Sequence, residues 1–334
     1  MAPGTGSLRV AVAGAGHLGT VHARVYAAME DVDLVAVADV DSAAAERVAA
    51  ETGAKAFSRL EDIPEVDAVS VVVPTVAHRE VAEHFLDRGA SVLVEKPMAP
   101  SSTEAEALLE AASKAPGLLQ VGHIERFNSA VRAARPHVSK PRFIECRRVA
   151  PFSFRSKDIG VVFDLMIHDL DIIQWLVGEP LARVDAVGTP VLLAHEDVAN
   201  ARLVFEGGCV ADLTASRVAA KAERALRIFQ ESSYLSIDTM APRARLFKAS
   251  DKLAKGEVDV AGITPADLDD PREFLFRELI SLEELELDPE RPLQAELRSF
   301  VDAVKEGGKS LVTGEEGLAA IRLAEQVLEG IAAG

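Results

Sequence analysis

Asp164 and His168 lie four residues apart in the apolar segment VVFDLMIHDLDII. If this segment is helical, the two side chains share one face, about 6 Å apart along the helix axis. A carboxylate one turn from an imidazole orients the ring and stabilises its protonated form, which suits the histidine to accept a proton near neutral pH. A core histidine beside a surface acid is the alternative. Three acids and a histidine are costly in so apolar a helix unless they are used, and this favours catalysis.

Lys96 is a second candidate for chemistry, because it directly follows a predicted strand and stands beside Glu95. Ligands of open α/β sheets bind beyond the carboxyl ends of the strands, so this position favours a functional lysine over a solvated one. A charged lysine stabilises a developing alkoxide, and a lysine with a lowered pKa can act as a base. Pro74, Thr75 and His78 of the motif PTVAH follow the preceding strand and are expected to line the same site.

The turn GAGHLG at residues 14–19 separates an apolar run from a predicted helix and matches the dinucleotide fingerprint G-x-G-x-x-G. Gly14 allows the tight turn, Gly16 lets the backbone approach a pyrophosphate, and Gly19 permits close packing of the helix. The helix N-terminus offers free N–H groups to the phosphates. Asp39 ends the next apolar run, twenty residues after Gly19, where an acid binds the adenosine ribose. Because a carboxylate there repels a 2′-phosphate, we predict NAD rather than NADP.

Alternating strands and helices must position these residues. The pattern predicts strands at 8–13, 33–38, 55–57, 67–73, 91–94 and 118–121, with helices at 17–29, 42–52, 78–88 and from 101 or 102 to 114. Continuous apolar strands that alternate with helices are typical of a doubly wound parallel sheet covered on both faces. We therefore predict an NAD-binding domain over residues 1–122.

The pattern changes in the second half, where we predict a separate domain over residues 123–334. Helices are expected at 125–135 and 161–176, a strand at 143–149, mostly strands over 181–238, and final helices at 292–305 and 314–331. Residues 241–291 are expected to be irregular, with the acidic stretch 278–290 forming a solvated face or a hairpin. An antiparallel sheet with helices on one face is the simplest arrangement of these elements.

The composition narrows the class of protein. The 334 residues carry a net charge of −17, which argues against a nucleic-acid partner or an anionic membrane surface, although a local basic pocket stays possible. Cys146 and Cys209 are too few for a disulfide framework and are not spaced as metal ligands, so buried thiols in a reducing cytoplasm are expected. We predict no bound metal, no signal peptide and no apolar run approaching the ~20 residues that span a membrane.

The motifs G-x-G-H-x-G, Asp39, P-T-x-x-H, E-K-P and D-x-x-x-H, taken in order, resemble the glucose–fructose oxidoreductase, inositol dehydrogenase and MocA (Gfo/Idh/MocA) family over nearly the whole chain. The resemblance implies an N-terminal Rossmann domain and a C-terminal α+β domain with a large open, mostly antiparallel sheet. That second domain would bind substrate and form a homo-oligomer, a dimer or tetramer. Lys96, Asp164 and His168 would line the reacting carbon. The predicted cofactor-binding residues are Gly14, Gly16, His17, Leu18, Asp39, Pro74, Thr75, His78, Glu95 and Lys96.

Four segments more narrowly resemble the UDP-N-acetylglucosamine 3-dehydrogenase branch: GHIERFN at 122–128, DLMIHDLD at 164–171, TASRV at 214–218 and LRIF at 226–229. Ser129 departs from that pattern, because relatives often carry proline there. These enzymes oxidise the sugar 3-hydroxyl to a ketone, and a partner aminotransferase installs an amine for lipid A with amide-linked acyl chains. The candidate substrate contacts are His123, Arg126, Asn128, Arg155, Lys157 and Arg217.

Three other functions stay open. A dehydrogenase of a free polyol or sugar, such as inositol, would use the same catalytic residues. A metal-dependent hydrolase or lyase could use Asp164, His168 and Asp171, but the chain shows no further His-rich cluster and Lys96 would have no role. A non-catalytic NAD-sensing regulator would not need Lys96, Asp164 and His168 together.

Overall fold

Apolar strands alternating with amphipathic helices form a parallel sheet in the N-terminal part of the chain. The computed structural model describes residues 6–154, 159–264 and 268–333. The N-terminal elements are β1 (Leu8–Ala13), α1 (His17–Ala27), β2 (Val32–Ala38), α2 (Ser42–Thr52), β3 (Lys55–Phe57), β4 (Ala68–Val71), α3 (His78–Asp87), β5 (Ser91–Glu95), α4 (Ser102–Lys114) and β6 (Leu119–Gly122). The strands are ordered β3-β2-β1-β4-β5-β6, and every neighbouring pair is parallel. This order confirms the predicted doubly wound sheet and places the reversal of strand order between β1 and β4.

A second, larger sheet is built from the following part of the chain. Its elements are α5 (Ser129–Ala134), β7 (Phe143–Val149), α6 (Ile167–Val177), β8 (Leu181–Thr189), β9 (Val198–Phe205), β10 (Val210–Ser216), β11 (Glu223–Gln230), β12 (Ser233–Asp238), β13 (Arg243–Ala249), α7 (Asp251–Ala254), α8 (Pro271–Phe274) and β14 (Ile280–Glu284). The order is β14-β13-β12-β11-β7-β10-β9-β8. Only β7 and β10 pair in parallel among these described strands, which confirms the mostly antiparallel sheet.

Three predicted segments differ from the structure. The helix expected at 125–135 is a 3₁₀ turn, Ile124–Phe127, followed by α5, because the Asn128 side chain accepts the Ala130 N–H and starts a new helix. The helix expected at 161–176 begins as a π-helix, Val162–Met166, before α6. The stretch expected to be irregular contributes β13 and β14, which pair along the edge of the sheet.

The chain ends in two helices, α9 (Pro292–Glu306) and α10 (Gly314–Ala333). It divides into two compact units, one comprising the chain up to Phe127 with Glu290–Glu325, and the other Asn128–Pro289 with the chain from Gln326 onward. The first unit extends beyond the boundary predicted at residue 122, and it also includes α9 and the first part of α10. The apolar stripe of α9, with Leu297 and Phe300, shares a core with Tyr26. Within the described residues, no helix combines the length and apolar character needed to cross a membrane.

A buried ion pair fastens α6 to the second sheet. The Arg148 guanidinium donates to both carboxylate oxygens of Asp169, at 2.7 to 3.0 Å, and both side chains are about 95% buried, with exposed fractions of 5% and 6%. An exposed pair of the same sheet, Arg202 with Asp212 at 2.9 Å, provides a comparison. Asp169→Ala should lower the free energy of unfolding by about 3–5 kcal/mol, because it removes the carboxylate that compensates the buried charge of Arg148.

Asp212→Ala should lower the free energy of unfolding by less than about 1 kcal/mol, because solvent screens the exposed pair. Urea unfolding followed by the fluorescence of Trp175 measures both variants, since this single tryptophan lies in α6. Equal losses in the two variants would show that the buried pair has no special role.

Candidate active site

A cavity of about 750 Å³ lies in the first unit, at the carboxyl ends of the parallel strands. All ten residues predicted to bind the cofactor line it: Gly14, Gly16, His17, Leu18, Asp39, Pro74, Thr75, His78, Glu95 and Lys96. Its volume is within the range of small-molecule and cofactor sites. Ser58 and Leu60 also line the cavity, and the sequence analysis missed them because they follow β3 outside any motif.

The glycine-rich turn forms one wall of this cavity. Gly14 has a φ of +106°, and a Cβ atom there would lie 2.3 Å from the carbonyl oxygen of Val72. A Cβ atom on Gly19 would lie 1.9 Å from the Gly14 oxygen, so α1 can pack this closely only without a side chain. Gly16 has open space around it at the N-terminus of α1. The turn therefore fits a pyrophosphate, which needs close backbone approach and unpaired helix N–H groups.

Asp39 is fastened to the same turn. One carboxylate oxygen accepts the Ala15 N–H at 2.7 Å and the other accepts the Asp41 N–H at 2.9 Å. Each oxygen keeps a further lone pair, so the carboxylate can also accept from ribose hydroxyls. The residues that flank it, Ala38 and the exposed Val40, bring no positive charge for a 2′-phosphate. This environment fits NAD.

Lys96 extends from the end of β5 next to a buried carboxylate. Glu95 lies 3.1 Å from the ring of His22 through Oε1, and its Oε2 accepts the Lys96 backbone N–H at 3.2 Å. Gly122 lies opposite, where a Cβ atom would come within 3.1 Å of the Glu95 carboxyl carbon. Burial acts to raise the pKa of Glu95, but the hydrogen bond and charge of His22 and the charge of Lys96 outweigh it and lower that pKa. Glu95 thus stays ionised beside the predicted catalytic lysine.

His78 connects two walls of the cavity. Its ring nitrogens lie 2.9 Å from the carbonyl oxygens of Pro97 and Val73. Burial lowers the pKa of His78, although its carbonyl contacts act in the opposite direction. The ring thus lies between the turn after Lys96, which contains a cis Lys96–Pro97 bond, and the segment after β4, and when neutral it donates to one of the two carbonyl oxygens.

Glu296 of α9 is a second acid buried in the first unit. It is fully buried, and neither carboxyl oxygen has a hydrogen-bond partner within the described part of the chain. Burial, with the negative charge of Glu95, raises the pKa of Glu296 well above its ordinary value. Two interacting buried carboxyl groups cannot both ionise at low cost, so Glu296 is held protonated while Glu95 carries the charge.

The predicted acid–histidine pair lies in the second unit. Asp164 belongs to the π-helix Val162–Met166, and His168 lies in the first turn of α6. Both are partly exposed. Asp164 Oδ2 lies 3.6 Å from the guanidinium of Arg217. π-Helical turns are rare and are frequently found at functional sites.

The four candidate substrate contacts that the structure describes are all buried, and three of them have hydrogen-bond partners inside their own units. His123 is 1% exposed, and the buried Arg126 guanidinium donates to Glu316 at 2.5 Å. Asn128 caps α5 and donates to the Thr239 carbonyl at 2.9 Å. Arg217 donates to the Ile159 carbonyl. Arg155 and Lys157 lie outside the described residues. That these six side chains contact substrate stays a prediction.

Two family models match the chain. "Oxidoreductase family, NAD-binding Rossmann fold" matches residues 8–123, and "GFO/IDH/MocA C-terminal domain" matches residues 119–235. The chain belongs to the Gfo/Idh/MocA family of oxidoreductases. It is an NAD-dependent oxidoreductase.

Individual relatives refine this family assignment. The chain is 41% identical over 233 residues to the UDP-N-acetylglucosamine 3-dehydrogenase of Acidithiobacillus ferrooxidans, covering 69% of this chain and 74% of the relative. A solved structure of that enzyme from the same organism gives a TM-score of 0.86 at 34% identity, covering 98% of both chains. The inositol 2-dehydrogenase of Rhizobium meliloti is 26% identical over 344 residues, 98% of this chain and 97% of the relative.

The protonation of Glu296 leads to a testable pH dependence of stability. Because its pKa in the folded state is raised above the ordinary value of 4.5, folding retains a proton that the unfolded chain releases. Stability is therefore lost as the pH rises above 4.5, by about 1.4 kcal/mol for each pH unit until the raised pKa is reached. Glu296→Gln removes this loss of stability. The variant should therefore melt at a higher temperature than the wild type at pH 8, and the difference in melting temperature should be small at pH 5.

Thermal unfolding at the two pH values measures the effect. Glu306→Gln is the matched control, because Glu306 is an exposed acid of the same helix. If wild type and Glu296→Gln show the same change in stability between pH 5 and pH 8, Glu296 does not carry the retained proton.

Proposed function

We propose that this protein oxidises the 3-hydroxyl of UDP-N-acetylglucosamine to the 3-keto sugar, with NAD as the hydride acceptor. The observation that carries the proposal is the likeness to UDP-N-acetylglucosamine 3-dehydrogenase along nearly the whole chain, at 34% identity and a TM-score of 0.86. The inositol 2-dehydrogenase matches over a similar length at only 26% identity.

The residues of the cavity hold the cofactor in this proposal. The turn at Gly14–Gly19 and the N-terminus of α1 receive the pyrophosphate, and Asp39 accepts from the adenosine ribose. Lys96, which follows β5 and lines the same cavity, would be next to the nicotinamide. Bound NAD supplies an acceptor for the hydride that leaves the sugar carbon.

In this proposal, three side chains take part in the transfer of the hydroxyl proton and in the stabilisation of the charge that develops on the sugar oxygen. As the C–H bond breaks, the hydroxyl proton passes to His168 or to Lys96, and the C–O bond becomes a carbonyl. Asp164 stabilises the protonated form of His168. A charged Lys96 would stabilise the alkoxide that develops on the sugar oxygen. The buried charge of Glu95 holds the strand end from which Lys96 extends.

The product of this reaction is a 3-keto sugar whose ketone is adjacent to the carbon that carries the acetamido group. A pyridoxal-type transamination converts such a ketone to an amine. We propose that a pathway aminotransferase consumes it, in the synthesis of a lipid A-type precursor in the cytoplasm. We also propose that the chain works as a homo-oligomer. The aminotransferase proposal is supported by the narrower resemblance of the sequence and by the dehydrogenase activity that names the relative. The homo-oligomer is supported by the resemblance to the family, and the cytoplasm by the low cysteine content.

A dehydrogenase of a free polyol such as inositol is the second candidate. It is favoured by the match to an inositol 2-dehydrogenase over 98% of this chain. The same catalytic residues serve both reactions, so substrate turnover must separate them.

The decisive experiment mixes the purified protein with NAD and UDP-N-acetylglucosamine and follows NADH absorbance. Parallel reactions contain free N-acetylglucosamine or myo-inositol. We expect NADH to form with the UDP-sugar alone, and to rise further when an aminotransferase and glutamate remove the ketone. Turnover of a free polyol but not of the UDP-sugar would replace the first proposal with the second.

His168→Ala should lower turnover by roughly 10²- to 10⁴-fold, because a positioned proton acceptor contributes about that much. Its affinity for NAD, measured by calorimetry, should be unchanged, since the cofactor cavity lies in the first unit. His195→Ala is the matched control, because it removes a histidine of the same unit with no proposed role. Undiminished turnover in His168→Ala would exclude the catalytic assignment.

A further inference from the structure

Two adjacent acids precede β9, and the first of them contacts the segment that carries Asp164. The first, Glu196, accepts the Val161 N–H on its carbonyl oxygen at 2.9 Å and the Val162 N–H on its carboxylate at 3.1 Å. Gly160 leaves room for this carboxylate, because a Cβ atom there would lie 1.9 Å from Glu196 Oε1. Glu196 thereby fixes the backbone where the π-helix begins.

The second acid, Asp197, is fully buried and rigidly held. Its Oδ2 accepts the backbone N–H groups of Val191, Leu192 and Leu193 at 2.8, 2.6 and 3.0 Å. Burial acts to raise the pKa of Asp197, but these N–H groups and the charge of Arg217 outweigh it and lower that pKa. The other oxygen, Oδ1, accepts no hydrogen bond within the described residues and lies 3.9 Å from Arg217 Nε.

Arg217 lies between Asp197 and Asp164. Its backbone N–H donates to the Asp197 carbonyl at 3.0 Å, just after β10 ends. Its side chain is only 6% exposed, donates to the Ile159 carbonyl at 2.9 Å and reaches to 3.6 Å from Asp164 Oδ2. A planar guanidinium presents five donors in fixed directions, so these contacts together define its orientation.

The charges in this group alternate in sign. Arg217 is positive and lies between two carboxylates, so its charge is compensated from both sides. If Asp197 were neutral, only the Asp164 carboxylate of this pair would still attract the buried guanidinium. Arg217 would then pair more closely with Asp164. Asp164 would then be less available to the reaction.

We propose that Asp197 is a positioning residue, which holds the Arg217 guanidinium so that Arg217 in turn orients the Asp164 carboxylate. The inference rests on the proposed function, in which Asp164 assists proton transfer. It gives Arg217 an internal role in place of the direct substrate contact expected from the sequence.

A double-mutant cycle tests this positioning. Asp197→Asn should lower kcat roughly 10- to 100-fold, because a displaced catalytic group costs about that much. The KM for NAD and the Kd for NAD should both stay unchanged. In an Asp164→Asn background, Asp197→Asn should lower kcat no further, because both changes remove the same contribution. Asp238→Asn is the matched control. Asp238 also accepts backbone N–H groups in a turn of this unit, from Met240 and Ala241, and its loss should leave kcat unchanged.

Arg217→Lys provides a second variant in case Asp197→Asn does not fold. It keeps the positive charge but loses the fixed fork of donors, so kcat should fall, and it should fall no further when Asp164→Asn is added. A full additional loss of kcat in the Asp164→Asn background, or a wild-type kcat in Arg217→Lys, would overturn the proposal.

The failure of the proposed function can be distinguished from the failure of this inference. If the wild type oxidises neither UDP-N-acetylglucosamine nor myo-inositol, the proposed function fails. Crystal structures of the wild type and Arg217→Lys then decide the inference. Displacement of the Asp164 carboxylate in the variant supports it, and an unchanged Asp164 overturns it.

Discussion

The structure of each unit depends on the burial of carboxyl groups and on how each one is compensated. An ionised carboxylate removed from water is costly unless charges and hydrogen bonds replace its hydration. Glu95 has the ring of His22, Asp169 has the guanidinium of Arg148, and Asp197 has three backbone N–H groups with Arg217. Glu296 has no such partner among the described residues and stays protonated instead.

These compensated acids lie next to the residues that are proposed to act on substrate. Glu95 directly precedes Lys96 and accepts its backbone N–H. Asp197 reaches Asp164 through Arg217, and Asp169 follows His168 and fastens α6 to β7. A buried ion pair has few orientations open to it, so the side chains proposed to be catalytic are attached next to rigid points. Asp39 of the cofactor cavity is also held in place by a hydrogen bond, because it accepts the N–H of Ala15 in the glycine-rich turn.

The local elements of the first unit could be predicted closely, because continuous apolar strands and glycine positions are strong local signals. The observed β1 and α2 have the predicted bounds, and Gly14 and Gly19 have the predicted spatial reasons. The π-helix at 162–166 could not be predicted, since it depends on Glu196, which is distant in sequence and holds the first N–H groups of the segment. The assignment of α9 to the first unit also could not be read locally, because an amphipathic stripe does not specify the core that buries it.

The sequence by itself determined the family, the cofactor, the parallel sheet and the residues that gather around the cavity, because these depend on short motifs whose spacing is fixed by strand and turn geometry. Only the tertiary structure decided which charged side chains have internal partners. Arg126 and Arg217 are predicted substrate contacts from the sequence, and the structure adds that their guanidinium groups are buried, the first against Glu316 and the second between Asp164 and Asp197. The physical reason is that the pairing of a buried charge is set by residues that are remote in sequence and meet only when the chain has folded.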